Sequence, residues 1–165
     1  MRRFAVIVAL GGVLSMLGGT VMASPALADT GARPLNLTAP NGQFTSFNCL
    51  NALCSRASAT VDGKATSNLS TGAGSYHAGL IVDFLGQPAP GGNCNIVTEH
   101  DAFAFNKGTI FTHSRHEDCA TAGLRINTTF TITGGTGAFQ DAKGGGREFS
   151  SVGAPTTIYQ GTISF

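Results

Sequence analysis

From Phe44 onward, apolar and polar residues alternate in short segments that are closed by glycine, asparagine or proline. Side chains of an extended strand point to opposite faces in turn, so a period of two predicts strands with one buried face. Strands are predicted near 43–49, 55–61, 64–70, 75–85, 94–105, 109–117, 124–133, 146–151 and 157–165. Asn41-Gly42 and Asp62-Gly63 are predicted to be tight hairpin turns, because both central residues of such turns take positive φ. Pro88 to Gly92, within Gly86-Gln-Pro-Ala-Pro-Gly-Gly92, is predicted to be a surface loop. No window of helix length carries an apolar stripe of helical period. Many short strands joined by glycine turns predict an all-β antiparallel barrel or sandwich.

The clearest hairpin is VTEHDAFAF, then Asn106-Lys107-Gly108, then TIFTHSRHE. A three-residue loop with glycine last suits a type I turn closed by a left-handed residue. Phe105 then faces Thr109, and the register pairs Phe103 with Phe111, Asp101 with His113, and Glu99 with Arg115. Phenylalanines are costly to expose, so Phe103, Phe105 and Phe111 are predicted to line an interior ligand pocket. Asp101, His113, Glu99 and Arg115 would ring its mouth. There Asp101 could orient His113 as a general acid/base beside an apolar substrate. The plainer reading of these four is ordinary cross-strand pairing on a solvated rim.

The opposite face takes Ala102, Ala104, Thr112, Ser114, His100 and His116. A metal reading would recruit His100, His113 and His116 with Glu99 or Glu117. His113 and His116 are three apart and face opposite sides of a strand, so no metal is expected, and no cofactor. A Ser-His-Asp hydrolase fails similarly: Ser114 points away from His113, and there is no G-x-S-x-G elbow. Tyr76-His77 reads as a half-buried strand pair.

Residues 1–28 carry Arg2-Arg3, an apolar run from Phe4 to Leu17 and a terminal Ala26-Leu27-Ala28, the layout of a cleaved secretory signal. The apolar run is short for a bilayer span and diluted by glycine. Cleavage leaves 137 residues, 29–165, enough for one domain, and moves the formal net charge from +1 to −1. A charge so near zero excludes a broad nucleic-acid footprint. After cleavage no membrane span remains, and the protein is expected to be secreted. Cys49, Cys54, Cys94 and Cys119 all lie in the mature chain and predict two disulfides in an oxidising compartment. Three connectivities are open; the hairpin favours Cys49 with Cys54 and Cys94 with Cys119.

Residues 126–146 read INTTFTITGGTGAFQDAKGGG. This segment resembles the G-G-T-G-x-F-x-x-A-x-G signature of the allene oxide cyclase and dirigent barrels, especially their small exported bacterial members. Gly134, Gly135, Thr136, Gly137, Phe139, Ala142 and Gly144 match it, with Lys143 before the last glycine, and YQGTISF resembles the family's final strand. The resemblance implies an eight-stranded antiparallel β-barrel, calycin-like, over the mature chain, with a hydrophobic cavity. Plant relatives cyclise an unsaturated fatty-acid epoxide or orient phenoxy radicals. Their catalytic and pocket residues do not align onto this chain, so no activity is carried over.

In physical terms the motif suits a sharp turn at the barrel's end, with Phe139 folding back as an apolar plug. A phosphate-binding loop is excluded because Lys143 is followed by glycines rather than Ser or Thr. Three functions follow. The first is a barrel that binds a small apolar ligand. The second is a cyclase or isomerase working through Asp101 and His113. The third is a surface or interaction protein whose barrel is filled by its own side chains. Self-association stays open.

Overall fold

The computed structural model describes residues 31–40, 42–89, 92–119, 125–151 and 156–165, with side chains at 31–40, 42–84, 94–118, 127–150 and 156–165. The predicted export signal at 1–28 and Asn41 of the first predicted turn lie outside the described residues.

Nine strands follow one another: β1 Arg33–Pro40, β2 Gln43–Cys49, β3 Arg56–Ser67, β4 Gly74–Ala89, β5 Gly92–Phe105, β6 Gly108–Cys119, β7 Arg125–Gly135, β8 Lys143–Ser151 and β9 Thr156–Ser164. One 3₁₀ turn, Gly137–Phe139, stands between β7 and β8. All neighbours pair antiparallel in the order β1-β9-β8-β7-β6-β5-β4-β3-β2. Leu37 and Thr38 of β1 also pair with Ser67 and Thr66 of β3, which closes eight strands into a barrel. β2 lies outside this ring, on the first half of the β3 edge. Closure removes the unpaired edges that an open sheet would leave.

Three strand predictions are corrected. β1 is an additional strand that the alternation around Pro34 and Pro40 did not announce. Asp62-Gly63 is not a turn, since β3 runs straight through it. Asp62 is held in the sheet by partners on both sides, accepting from Thr45 Oγ1 at 2.7 Å and lying 2.6 Å from His77 Nδ1. Of the predicted loop at 88–92 the described residues are strand, with Pro88 opposite Asn93 and Ala89 opposite Gly92, and 90–91 lie outside the described residues.

The core follows the alternation. Leu35, Leu37 and Ala39 of β1, Phe103 of β5, Ile110 of β6, Phe130 and Ile132 of β7, and Tyr159 and Ile163 of β9 point inward and are buried. On β8 two of the inward positions, Gly144 and Gly146, are glycine, and the next, Glu148, is buried. Gly146 lies between Phe130 and Gly161 in register, and a Cβ there would come within 2.0 Å of the Gln160 carbonyl oxygen. Glycine is required there because the two backbones approach so closely. Phe139 and Ala142, just beyond the 3₁₀ turn, are buried at the end of the barrel where β5 turns into β6, and Phe139 packs edge-on against Phe165.

The β5–β6 hairpin is shifted by one residue from the predicted register. Its loop is Asn106-Lys107, and Phe105 faces Gly108, so Phe103 pairs with Ile110, Asp101 with Thr112, and Glu99 with Ser114. The glycine motif explains the shift. Thr136 N donates to Thr109 O at 2.8 Å, Thr109 N to Thr136 Oγ1 at 3.0 Å, and Ala138 N to Lys107 O at 2.8 Å, gripping the hairpin tip. Gly108 has φ +141°, a conformation that favours glycine, and takes its place as the first residue of β6. The corrected register puts Cys94 directly opposite Cys119.

Candidate functional site

A one-residue slip turns every side chain of a strand to the other face. On β5 the inward set is the predicted one: Glu99, Asp101 and Phe103 are buried. On β6 the inward set is Ile110, Thr112, Ser114 and, half-buried, His116. His113, Arg115 and Phe111 therefore do not join Asp101 and Glu99. Phe111 and Arg115 are exposed, and His113 faces His100 across the outer surface with ring centroids 4.7 Å apart. Phe105 is partly buried at the margin of the core. The predicted Asp101–His113 and Glu99–Arg115 pairs, and a pocket containing Phe111, are not formed.

What the barrel brings together is a cluster of acids and hydroxyls that sequence reasoning only half assembled. Asp101 accepts three hydrogen bonds: from Thr112 Oγ1 at 2.8 Å, from Tyr76 Oη at 3.2 Å and from Tyr159 Oη at 3.3 Å. Tyr76 Oη also reaches Glu99 Oε1 at 2.9 Å. Glu148 on β8 lies opposite Tyr159 and is 2% exposed. Aromatic rings wall the group: Phe103 lies 5.2 Å from Tyr76 and 5.0 Å from Tyr159, and Phe130 lies 5.4 Å from Tyr159.

Three buried carboxyls thus share one apolar interior, while every described Lys and Arg side chain is exposed. Burial without a fixed cation favours the protonated form. Burial first, then the neighbouring Asp101 and Glu148 charges, raises Glu99 well above the ordinary carboxylate range. Burial also raises Asp101, against the opposing Thr112 hydrogen bond. Glu148 is pushed up to about 7, by burial and then by Asp101, although the nearby Ser114 hydroxyl works the other way. Desolvation lowers His116, with Asp118 opposing, and raises both tyrosines.

Buried polar atoms are normally satisfied. Here Ser114 Oγ, His116 Nδ1 and Glu148 Oε2 make no hydrogen bond of good geometry. They belong to inward-facing residues of the acid cluster. The interior therefore has fixed acceptors and donors around Asp101, and spare hydrogen-bonding capacity around Glu148 and His116.

Sequence reasoning missed Glu148, Tyr159 and the inward role of His116. A signal for Glu148 was present: Gly144, Gly146 and Glu148 alternate along one face of β8, as Tyr159, Gly161 and Ile163 do along β9. Cys49 is bonded to Cys54. Cys94 is also in a disulfide, on the strand position facing Cys119. Among the described residues no helix is long and apolar enough to cross a membrane.

A solved structure described as pyocyanin demethylase superposes with a TM-score of 0.50, covering 81% of this chain and 100% of that one at 18% identity. At that identity the likeness is one of fold, and it supports the barrel. No protein family and no curated protein matches the sequence.

Proposed function

We propose that this protein binds a small, largely apolar molecule inside the barrel and moves a proton on it, as an isomerase- or cyclase-type acid/base site. One observation carries the reading: Glu99, Asp101 and Glu148 are buried together with no described Lys or Arg beside them. Burying carboxyls is expensive, and apolar residues of similar volume would make a more stable core. A barrel that only filled itself has no need of them. Carboxyls displaced toward neutral pH are suited to giving and taking protons in a water-poor interior. Asp101, held by three hydroxyls, is the preorganised partner. Glu148 and His116, with free polar atoms, are where a ligand's polar group would be received. The name of the fold neighbour marks it as an enzyme, which agrees with catalysis on such a scaffold without indicating the substrate.

The finer attributions belong to the same proposal. The glycine motif supports membership of the allene oxide cyclase-like barrels, and the 49–54 disulfide supports work outside the cytoplasm.

The test has two arms on the EDTA-treated mature protein. Binding is read by fluorescence of the apolar dye N-phenyl-1-naphthylamine. Proton transfer is read by deuterium incorporation into β,γ-unsaturated ketones in D2O. Dye binding in both wild type and Asp101→Asn, with exchange lost only in the variant, is the expected result. Dye binding without exchange reduces the protein to a binding barrel; neither signal means that the barrel is filled by its own side chains.

A further inference from the structure

Three donor side chains of the inner cluster converge. One ligand atom each from Glu99 on β5, His116 on β6 and Glu148 on β8 lie within 4.8 Å of one another. Glu148 is 2% exposed and Glu99 7% exposed, so this is no surface patch of acids. Two of the three groups present unpartnered atoms, His116 Nδ1 and Glu148 Oε2. The third, Glu99, is oriented by the Tyr76 hydroxyl on Oε1. An outer hydrogen bond of this kind fixes the orientation of a ligating carboxylate.

We propose that Glu99, His116 and Glu148 form a divalent transition-metal site, best matched to zinc. The donor set decides the class: imidazole with two carboxylates suits zinc, whereas calcium and magnesium take oxygen ligands alone. Charge agrees, since a dication balances two ligating carboxylates in a region with no described Lys or Arg side chain. Size agrees as well. Around a tetrahedral ion with bonds of about 2.1 Å, ligand atoms sit roughly 3.4 Å apart, so the side chains close by up to roughly 1.4 Å. Three protein ligands leave one position open toward the interior, where water or a polar atom of a bound molecule would complete the shell. From the sequence no metal is expected, because His113 and His116 cannot share a face. The barrel keeps that rule and supplies Glu148 from a strand far along the chain.

The outer His100–His113 pair is a rival zinc site, and the experiment separates the two. Protein stripped with EDTA is titrated with ZnCl2, and separately with MgCl2, by calorimetry at pH 7.5 in the absence of any organic ligand. Wild type and His100→Ala are expected to bind one zinc with equal affinity and no magnesium. His116→Gln and Glu148→Gln, checked for folding by circular dichroism, are each expected to weaken zinc binding at least 100-fold. Cobalt titrated into the wild type gives the visible spectrum of a four-coordinate site and does not depend on any variant folding. The proposal is overturned by absence of saturable one-to-one zinc binding, by loss of binding in His100→Ala, or by wild-type affinity in His116→Gln. Because dye binding and proton exchange are measured on metal-free protein, failure of either idea leaves the other standing.

Discussion

Tyr159 on β9 donates to Asp101 Oδ2 on β5 at 3.3 Å, joining residues 58 apart in sequence across the barrel interior. The bond links the last strand of the closure to the central hairpin, and both partners are buried. Removing the hydroxyl in Tyr159→Phe leaves Asp101 Oδ2 with Thr112 alone. The expected cost is about 1 kcal/mol, a fall of a few degrees in Tm by thermal denaturation. An unchanged Tm would mean that this hydrogen bond does not contribute to holding the cluster.

The acid cluster inverts the usual pH dependence of stability. Glu148 is pushed up to about 7 in the fold, and Glu99 and Asp101 are also raised. In the unfolded chain all three ionise in the ordinary carboxylate range. Between that range and neutrality the folded state holds more protons, so stability falls as pH rises. The contribution is fully present below about pH 4 and is lost as pH climbs through the folded-state values, on the order of 3 kcal/mol for Glu148. In EDTA-containing buffer Tm is expected to be higher at pH 5 than at pH 8, with a smaller difference in Glu148→Gln. A Tm that instead rises steadily from pH 5 to pH 8 contradicts the cluster's protonation.

The same site should show a trade of stability against function. Glu148→Leu removes a buried acid that has no described Lys or Arg beside it, and at pH 8 it is expected to stabilise the metal-free protein by about 1 kcal/mol or more. It should at the same time lose proton exchange. A destabilised variant that keeps its exchange activity would assign Glu148 to structure alone.

The hairpin register can be read from two phenylalanines. Phe103 is wholly buried, whereas Phe111 is 37% exposed on the outer face. Phe103→Ala is expected to cost about 3–5 kcal/mol and Phe111→Ala under about 1.5 kcal/mol in urea denaturation. Equal costs would restore the register that pairs the two rings.

Close strand approach gives a last test. Gly146→Ala places a methyl group 2.0 Å from the Gln160 oxygen, and is expected to cost about 3 kcal/mol or more, or to abolish soluble expression. Gly79→Ala serves as the control, because its nearest neighbour would be 4.0 Å away. It is expected to be neutral or slightly stabilising. Similar losses in both variants would point to general strand fragility rather than to a contact at Gly146.

Period-two alternation by itself determined most of the strands and the all-β class, because burial of one face is written locally in each strand. It also determined the inward face of β5, where Glu99, Asp101 and Phe103 stand two apart. The turn at Asn106-Lys107 was visible, but not its length, since Gly108 suits either a loop or a strand start. Only its contacts with Thr136 and Gly137, more than 25 residues away, select the strand. That single residue of register decided which side of β6 faces the acids, and so replaced His113 and Arg115 with Thr112, Ser114 and His116. Glu148 and Tyr159 could join Asp101 only after the barrel had closed. Closure sets which strands stand opposite one another, and nothing in the local pattern of β8 or β9 encodes that partner.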